Sequence, residues 1–181
     1  MPITEIVAMD LLIKLPSQSP PLIKYFQTLA HRQSAYSAYP VLFFTDVRSP
    51  GKVYIISGWH DVESSYAWLG SPERLEIMKL LEPFQTIQSR IYVDIDFDNI
   101  PRSDVLRLKK QDSYEVNPRG AVGIGAEGSR ALPLCHWEAC GQQLDTETTT
   151  WYTIQIFNLK NLKALNQNDN SVSMQRLSLS G

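Results

Sequence analysis

The sequence predicts an α+β fold built on a ferredoxin-like β-α-β-β-α-β sheet. Three observations carry this expectation. Strand-period and helix-period apolar patterns follow one another in that order over the first hundred residues. Two helical stretches open on cap signals with proline at the first helical position, Ser19-Pro20 and Ser71-Pro72. The predicted strands are apolar enough that the sheet face without helices must meet something.

In chain order, Ile3, Val7, Met9, Leu11 and Ile13 alternate as a first strand over residues 3–15, ended by Pro16. Leu22, Phe26, Leu29 and Ala30 then recur at helical spacing, which predicts a helix to about residue 36. Pro40 precedes a second strand over residues 41–47, and Ser49-Pro50-Gly51 turns the chain into a third over residues 52–59. Asp61 is the expected N-cap of a helix over residues 62–69, which Gly70-Ser71-Pro72 interrupts and restarts. Ile77, Leu80, Leu81 and Phe84 read as the core-facing stripe of the restarted helix. Residues 90–98 alternate as a fourth strand, with Ile91, Val93, Ile95 and Phe97 on one face and Tyr92, Asp94 and Asp96 on the other.

The chain therefore divides near residue 100. Residues 1–100 form the α+β unit. Residues 101–181 read either as a degenerate second repeat or as a β-rich extension, with a polar, frayed C-terminus. Residues 134–144 and 150–159 look like another hairpin, and Trp151-Tyr-Thr-Ile-Gln-Ile-Phe157 aligns with Val53-Tyr-Ile-Ile-Ser-Gly-Trp59. A short strand is expected near residues 121–124 and a stub of helix over residues 159–165. Two arrangements would cover the bare sheet face: a second chain, or a second repeat in the same chain. Residues 99–181 lack a convincing first helix, so a two-fold homodimer is expected.

Composition narrows the function. The 181 residues carry 17 basic and 19 acidic side chains, a net charge of −2, which argues against generic attraction to nucleic acid or an anionic membrane. Arg107, Lys109 and Lys110 read as a solvated face. No basic n-region with a long apolar segment opens the sequence, and no apolar run reaches membrane-span length, so a cytoplasmic protein is expected. Cys135 and Cys140 have no zinc-type spacing and read as reduced thiols.

Several motifs carry little. Gly123-Ile-Gly125-Ala-Glu-Gly128 matches G-x-G-x-x-G, but its flanks are not βαβ, so it reads as a glycine-rich loop. Asp94, Asp96 and Asp98 lack the glycine and glutamate of a calcium loop, since Asn99 and Val105 stand there. Asp94 would be a raised-pKa base if its face lines a barrel, or the polar side of an edge strand if it meets solvent. Of the three histidines, His31 sits late on a helix and His136 lies in the second hairpin. His60 stands at the strand-to-helix junction, within reach of a pocket mouth. Tyr54, Trp59, Tyr66 and Trp68 fall within fifteen residues, the residue types that wall a site for an apolar ligand.

The Gly58-Trp59-His60-Asp61-Val62-Glu63 run, with Trp68-Leu69-Gly70-Ser71-Pro72 after it, resembles the antibiotic-biosynthesis-monooxygenase-like branch of the dimeric α+β barrel superfamily, particularly its fungal secondary-metabolism members. The likeness spans residues 3–97. It implies a sheet that forms a dimeric α+β barrel around an apolar small-molecule substrate, with no cofactor and no metal. In haem-degrading members, a tryptophan on the second helix corresponds to Trp68, a first-strand asparagine approximately to Asp10, and a histidine to Met78; without that histidine, haem degradation does not fit. A histidine found in many relatives is Ser65 here. The resemblance implies a cofactor-independent enzyme of natural-product biosynthesis that oxygenates, cyclises or rearranges a polyketide-like molecule. Asp10 and His60 are the proton-transfer candidates, and Tyr54, Trp59, Tyr66, Trp68 and Asp94 the substrate contacts. The alternatives are a non-catalytic ligand-binding or dimerisation barrel and an accessory subunit of a biosynthetic complex.

Overall fold

A computed structural model describes residues 1–12, 19–111, 135–146, 149–160 and 171–179. The first half follows the predicted order: β1 (Ile3–Leu11), α1 (Pro20–Ser37), β2 (Val41–Asp46), β3 (Lys52–Trp59), α2 (Val62–Leu69), α3 (Pro72–Leu81) and β4 (Gln85–Val93). The second half adds β5 (Val105–Gln111), β6 (Cys135–Gln142), β7 (Trp151–Phe157) and β8 (Ser171–Arg176). The expected strand near residues 121–124, the glycine-rich loop at residues 123–128 and most of the helical stub at 159–165 lie outside the described residues.

Among the described residues, eight strands form one antiparallel sheet in the order β4-β1-β3-β2-β8-β5-β7-β6. The order within the second four, β8-β5-β7-β6, repeats that of the first four, β4-β1-β3-β2, with β5 to β8 in the places of β1 to β4. β7 thus holds the place of β3, the pair whose sequences align. The sheet curls until its two edges meet: Val93 on β4 bridges Gln143, Asp94 N–H donates to the Gln142 carbonyl at 2.9 Å, and Leu144 N–H to the Tyr92 carbonyl at 2.8 Å. Gly141 is required at this seam, because a Cβ there would lie 2.5 Å from the Asp94 carbonyl oxygen.

Strand alternation sorts the core into two layers. One layer fills the space between the sheet and α1 to α3 with Val7, Phe26, Phe43, Trp59, Trp68 and Ile77. The other fills the barrel interior, where Ile6, Phe44 and Ile56 from the first half meet Leu106, Ile154 and Met174 from the second. The sheet face that a partner chain was expected to cover is therefore covered by the same chain. Light scattering on the purified protein should then give the mass of one chain, 20.6 kDa; a stable two-chain mass would mean that another surface pairs.

Three local features differ from the sequence reading. β4 starts at Gln85 and ends at Val93, so Asp94 and Asp96 are not strand residues. Asp94 is exposed, and Asp96 caps a short 3-10 turn, accepting from Asp98 N–H at 3.1 Å and Asn99 Nδ2 at 2.9 Å. On α3, Leu80 is 53% exposed, and the sheet-facing positions are Arg74, Ile77 and Met78. The C-terminal segment read as frayed contains β8, held between β2 and β5. Two neighbours supply its ladder, which a lone polar segment cannot do for itself.

Candidate functional site

β1 projects Ile3, Glu5, Val7 and Met9 toward the helices. Glu5 breaks an otherwise apolar face, and it is only 3% exposed. The register makes Ser57 on β3 and Tyr92 on β4 its lateral neighbours, a polar row across three strands. Ser57 Oγ donates to Glu5 Oε2 at 2.9 Å, and Trp59 Nε1 donates to the same oxygen at 2.7 Å. Gln33 on α1 donates to Ser57 Oγ at 3.0 Å. On the other side, Ser65 Oγ lies 3.0 Å from Tyr92 OH and reaches Glu5 Oε1 at 3.5 Å, so a phenol–hydroxyl–carboxylate relay is in place. Burial raises the Tyr92 phenol above its ordinary pKa, with the Ser65 hydrogen bond opposing. The phenol is thus held protonated and able to donate.

A bulge lets β4 add to this row. Its register against β1 shifts between Ala8 and Met9, where Ala8 pairs Ser89 and Met9 pairs Ile87. The extra residue returns Gln85 and Ile87 to the helix side that Arg90 and Tyr92 already occupy. Arg90 Nε sits 3.1 Å from Glu5 Oε1, an ion pair by distance whose N–H is not aligned as a hydrogen bond. Arg74 enters from above. Ser71 caps α3 by accepting from Arg74 N–H at 3.2 Å, and Pro72 takes the first helical position. That start turns the Arg74 side chain down onto the sheet, where only 7% of the residue is exposed. Burial, then repulsion from Arg90, pulls its guanidinium down to about 10, and Glu5 opposes this.

These groups surround a small cavity between helices and sheet. Glu5, Arg74, Gln85 and Arg90 give it polar walls, and Val7, Met9, Leu29, Ile55, Trp68 and Met78 supply apolar ones. Its volume of about 20 Å³ holds a water or a group of similar size.

Of the sequence-derived candidates, Trp59 and Trp68 belong to this site: Trp59 hydrogen-bonds Glu5 and Trp68 lines the cavity. Tyr66 is half exposed, with its ring edge-on to Tyr92 at 5.7 Å. Tyr54 faces the barrel interior instead, where burial first, then Asp46 and Asp10, push its phenol up to about 12. Asp10 shares that face near the strand end, 3.9 Å from Lys52 Nζ. His60 is 85% exposed and bonds Asp61 Oδ2 at 2.9 Å. That bond, then the Ser64 N–H, holds the Asp61 carboxyl below its ordinary value; Asp61 is the N-cap of α2. Asp94 lies at the barrel seam. The residues that sequence reading passed over are Glu5, Arg74, Gln85 and Arg90. The available signal was a charged residue inside an alternating apolar face, and an arginine three residues before the buried Ile77.

No family model matches the sequence, and no curated protein matches it. Solved structures resemble it over nearly its whole length. A proposed monooxygenase from Lactobacillus acidophilus superposes with a TM-score of 0.55 at 13% identity, over 97% of this chain and 93% of its own. A proposed monooxygenase from Fusobacterium nucleatum gives 0.58 at 10% identity, over 98% and 93%. A variant chlorite dismutase from Candidatus Nitrospira defluvii gives 0.53 at 8% identity, over 98% and 92%. At these identities the likeness shows the fold alone, an α+β barrel.

Proposed function

We propose that this chain is a cofactor-independent enzyme that performs proton-transfer chemistry on an apolar, polyketide-like small molecule. The reaction would be an oxygenation, a cyclisation or a rearrangement. The observation that carries the reading is Glu5: a carboxylate buried against the cavity, held by Ser57, Trp59 and Arg90 and linked through Ser65 to the Tyr92 phenol. A buried carboxylate on the cavity wall can take a proton from an acidic C–H or O–H of a substrate, and Trp68 Nε1, unpaired among the described residues, can donate toward the oxygen that gains charge. Trp68 walls the site and Trp59 holds Glu5 from behind it, with Tyr66 at the outer margin. Glu5 takes the role that the sequence suggests for Asp10 and His60, which do not line the cavity. The monooxygenase-like barrel fold of the similar structures supports this reading.

A second reading, a barrel that binds a ligand without converting it, is favoured by Met78 and Ser65 standing where relatives carry histidines; under either reading a polyketide-sized molecule enters the cavity of about 20 Å³ only if α2 and α3 move off the sheet. Both readings meet one experiment. The gene is deleted in the native host, and purified protein is added to whichever compound accumulates. The expected result is conversion without added cofactor, reduced at least about a hundredfold in Glu5→Gln that circular dichroism shows to be folded, and unchanged in His60→Ala. Repeating the assay under argon separates oxygenation from cyclisation or rearrangement. Wild-type turnover by folded Glu5→Gln would refute the proposed role. Binding of the compound without conversion would establish the second reading.

A further inference from the structure

We infer that the cavity beneath α2 and α3 is an anion cradle: it binds one anionic oxygen or a small monoanion between Arg74, Arg90 and the Trp68 indole. Two independent observations converge on this space. The first is charge. Among the residues that line it, the ionisable ones are Glu5, Arg74 and Arg90, two guanidiniums against one carboxylate. Arg90 lies beside Glu5, and the positive charge of Arg74 is left over in a buried place. An uncompensated buried charge is among the most unfavourable arrangements in a protein interior, and an anion relieves it directly.

The second observation is unmet hydrogen bonding. Among the described residues, Arg74 Nη1, Arg90 Nε and Trp68 Nε1 are all buried N–H donors without an aligned acceptor, and all three residues line the cavity. Gln85 Oε1 is also unpartnered among the described residues, and a flip of that amide would turn its NH2 group to the same place. Buried polar atoms are nearly always paired, so several unpaired donors around one space define what that space receives. A neutral water accepts from at most two of them and leaves the charge unanswered. A carboxylate or enolate oxygen accepts from three and neutralises the guanidinium. The apolar remainder of the wall, with Met9, Leu29, Ile55 and Met78, suits a ligand whose one charged end enters first. The ligand chemistry is therefore an oxyanion, either the acidic end of a larger apolar molecule or a free inorganic or organic monoanion.

The inference rests on the small-molecule reading of this cavity, and a binding measurement without turnover separates the two. Thermal unfolding is followed against added sodium formate, at constant ionic strength kept with gluconate, whose hydroxylated chain does not suit the apolar part of the wall. Formamide serves as the neutral counterpart of formate, and chloride as the inorganic anion. The expected result is a saturable rise of the midpoint with formate and none with formamide. Formate affinity should fall about tenfold or more in Arg74→Met, which removes a charged donor, and several-fold in Trp68→Phe, which removes the indole N–H while keeping an aromatic wall. Trp68→Phe carries the test alone should Arg74→Met fail to fold. Stabilisation by chloride as well as formate identifies a free-anion site. Stabilisation by formate alone identifies the carboxylate end of a larger ligand. The inference is overturned if formate acts no better than formamide, or if its effect survives unchanged in Arg74→Met or, where that variant does not fold, in Trp68→Phe. Conversion of the host compound by wild type but not Glu5→Gln, with no formate effect, would sink the cradle and leave the proposed reaction standing.

Discussion

Glu5→Leu should cost about 3–5 kcal/mol of folding free energy, although leucine suits the apolar neighbours Ile3 and Val7 better than glutamate does. The loss comes from the partners left behind. Ser57 Oγ and Trp59 Nε1 lose the acceptor that they reach at 2.9 and 2.7 Å, and Arg90 loses its counter-charge at 3.1 Å. Arg74 and Arg90 then face each other in the same buried space with nothing between them. The Arg90 side chain is 20% exposed and the Glu5 side chain 4%, so water screens the remaining charge poorly. Urea denaturation measures the change as a shift in midpoint at constant slope. The double variant Glu5→Leu/Arg90→Leu should recover a large share of the loss, because removing both members of a buried pair is far milder than removing one. A loss below about 1 kcal/mol in the single variant would show that the pair is solvated in solution, and the site built on it would lose its basis.

The same residue shows how far the sequence is legible. Strand and helix order in the first half follows from period and punctuation, because Pro40, Ser49-Pro50-Gly51 and Ser71-Pro72 mark boundaries that local backbone chemistry enforces. Trp59 and Trp68 stand out by size and position. Glu5 does not, because an alternating strand tolerates one polar residue at its solvated face, and nothing local says which face that is. Its burial is decided by Ser57 and Tyr92, partners fifty-two and eighty-seven positions away in the ladder. Arg90 and Gln85 reach the same face only through the bulge in β4, which alternation alone misassigns. Arg74 is hidden by its charge: a helical stripe is sought among apolar residues, and the sheet side of α3 runs through an arginine. The second half is less legible still, because its strands alternate weakly and draw their stability from pairing with each other across long separations.

β8 makes that dependence testable. Ending the chain after residue 170 removes Ser171–Arg176, the strand that joins β2 to β5 and so closes one of the two seams between the halves. Its composition suggests a tail. Its placement says otherwise: Ser173 and Met174 are fully buried, and Leu177 packs against the helix-side core and donates its N–H to the Phe43 carbonyl at 2.8 Å. Losing buried Met174 and Leu177 alone removes about 2–5 kcal/mol each, a large part of the roughly 5–15 kcal/mol that holds a domain of this kind together. The truncation also bares the edges of β2 and β5 and opens the interior to water at Phe44, Leu106 and Leu108. The shortened chain should therefore lose its cooperative thermal transition, or associate through the exposed strands, as circular dichroism and light scattering would register. Met174→Ala in the full chain should show the milder form, a lower midpoint with association absent. A truncated chain that unfolds cooperatively at the full-length midpoint would mean that β2 and β5 close the barrel without their intermediary, and the joining role given to β8 would fall.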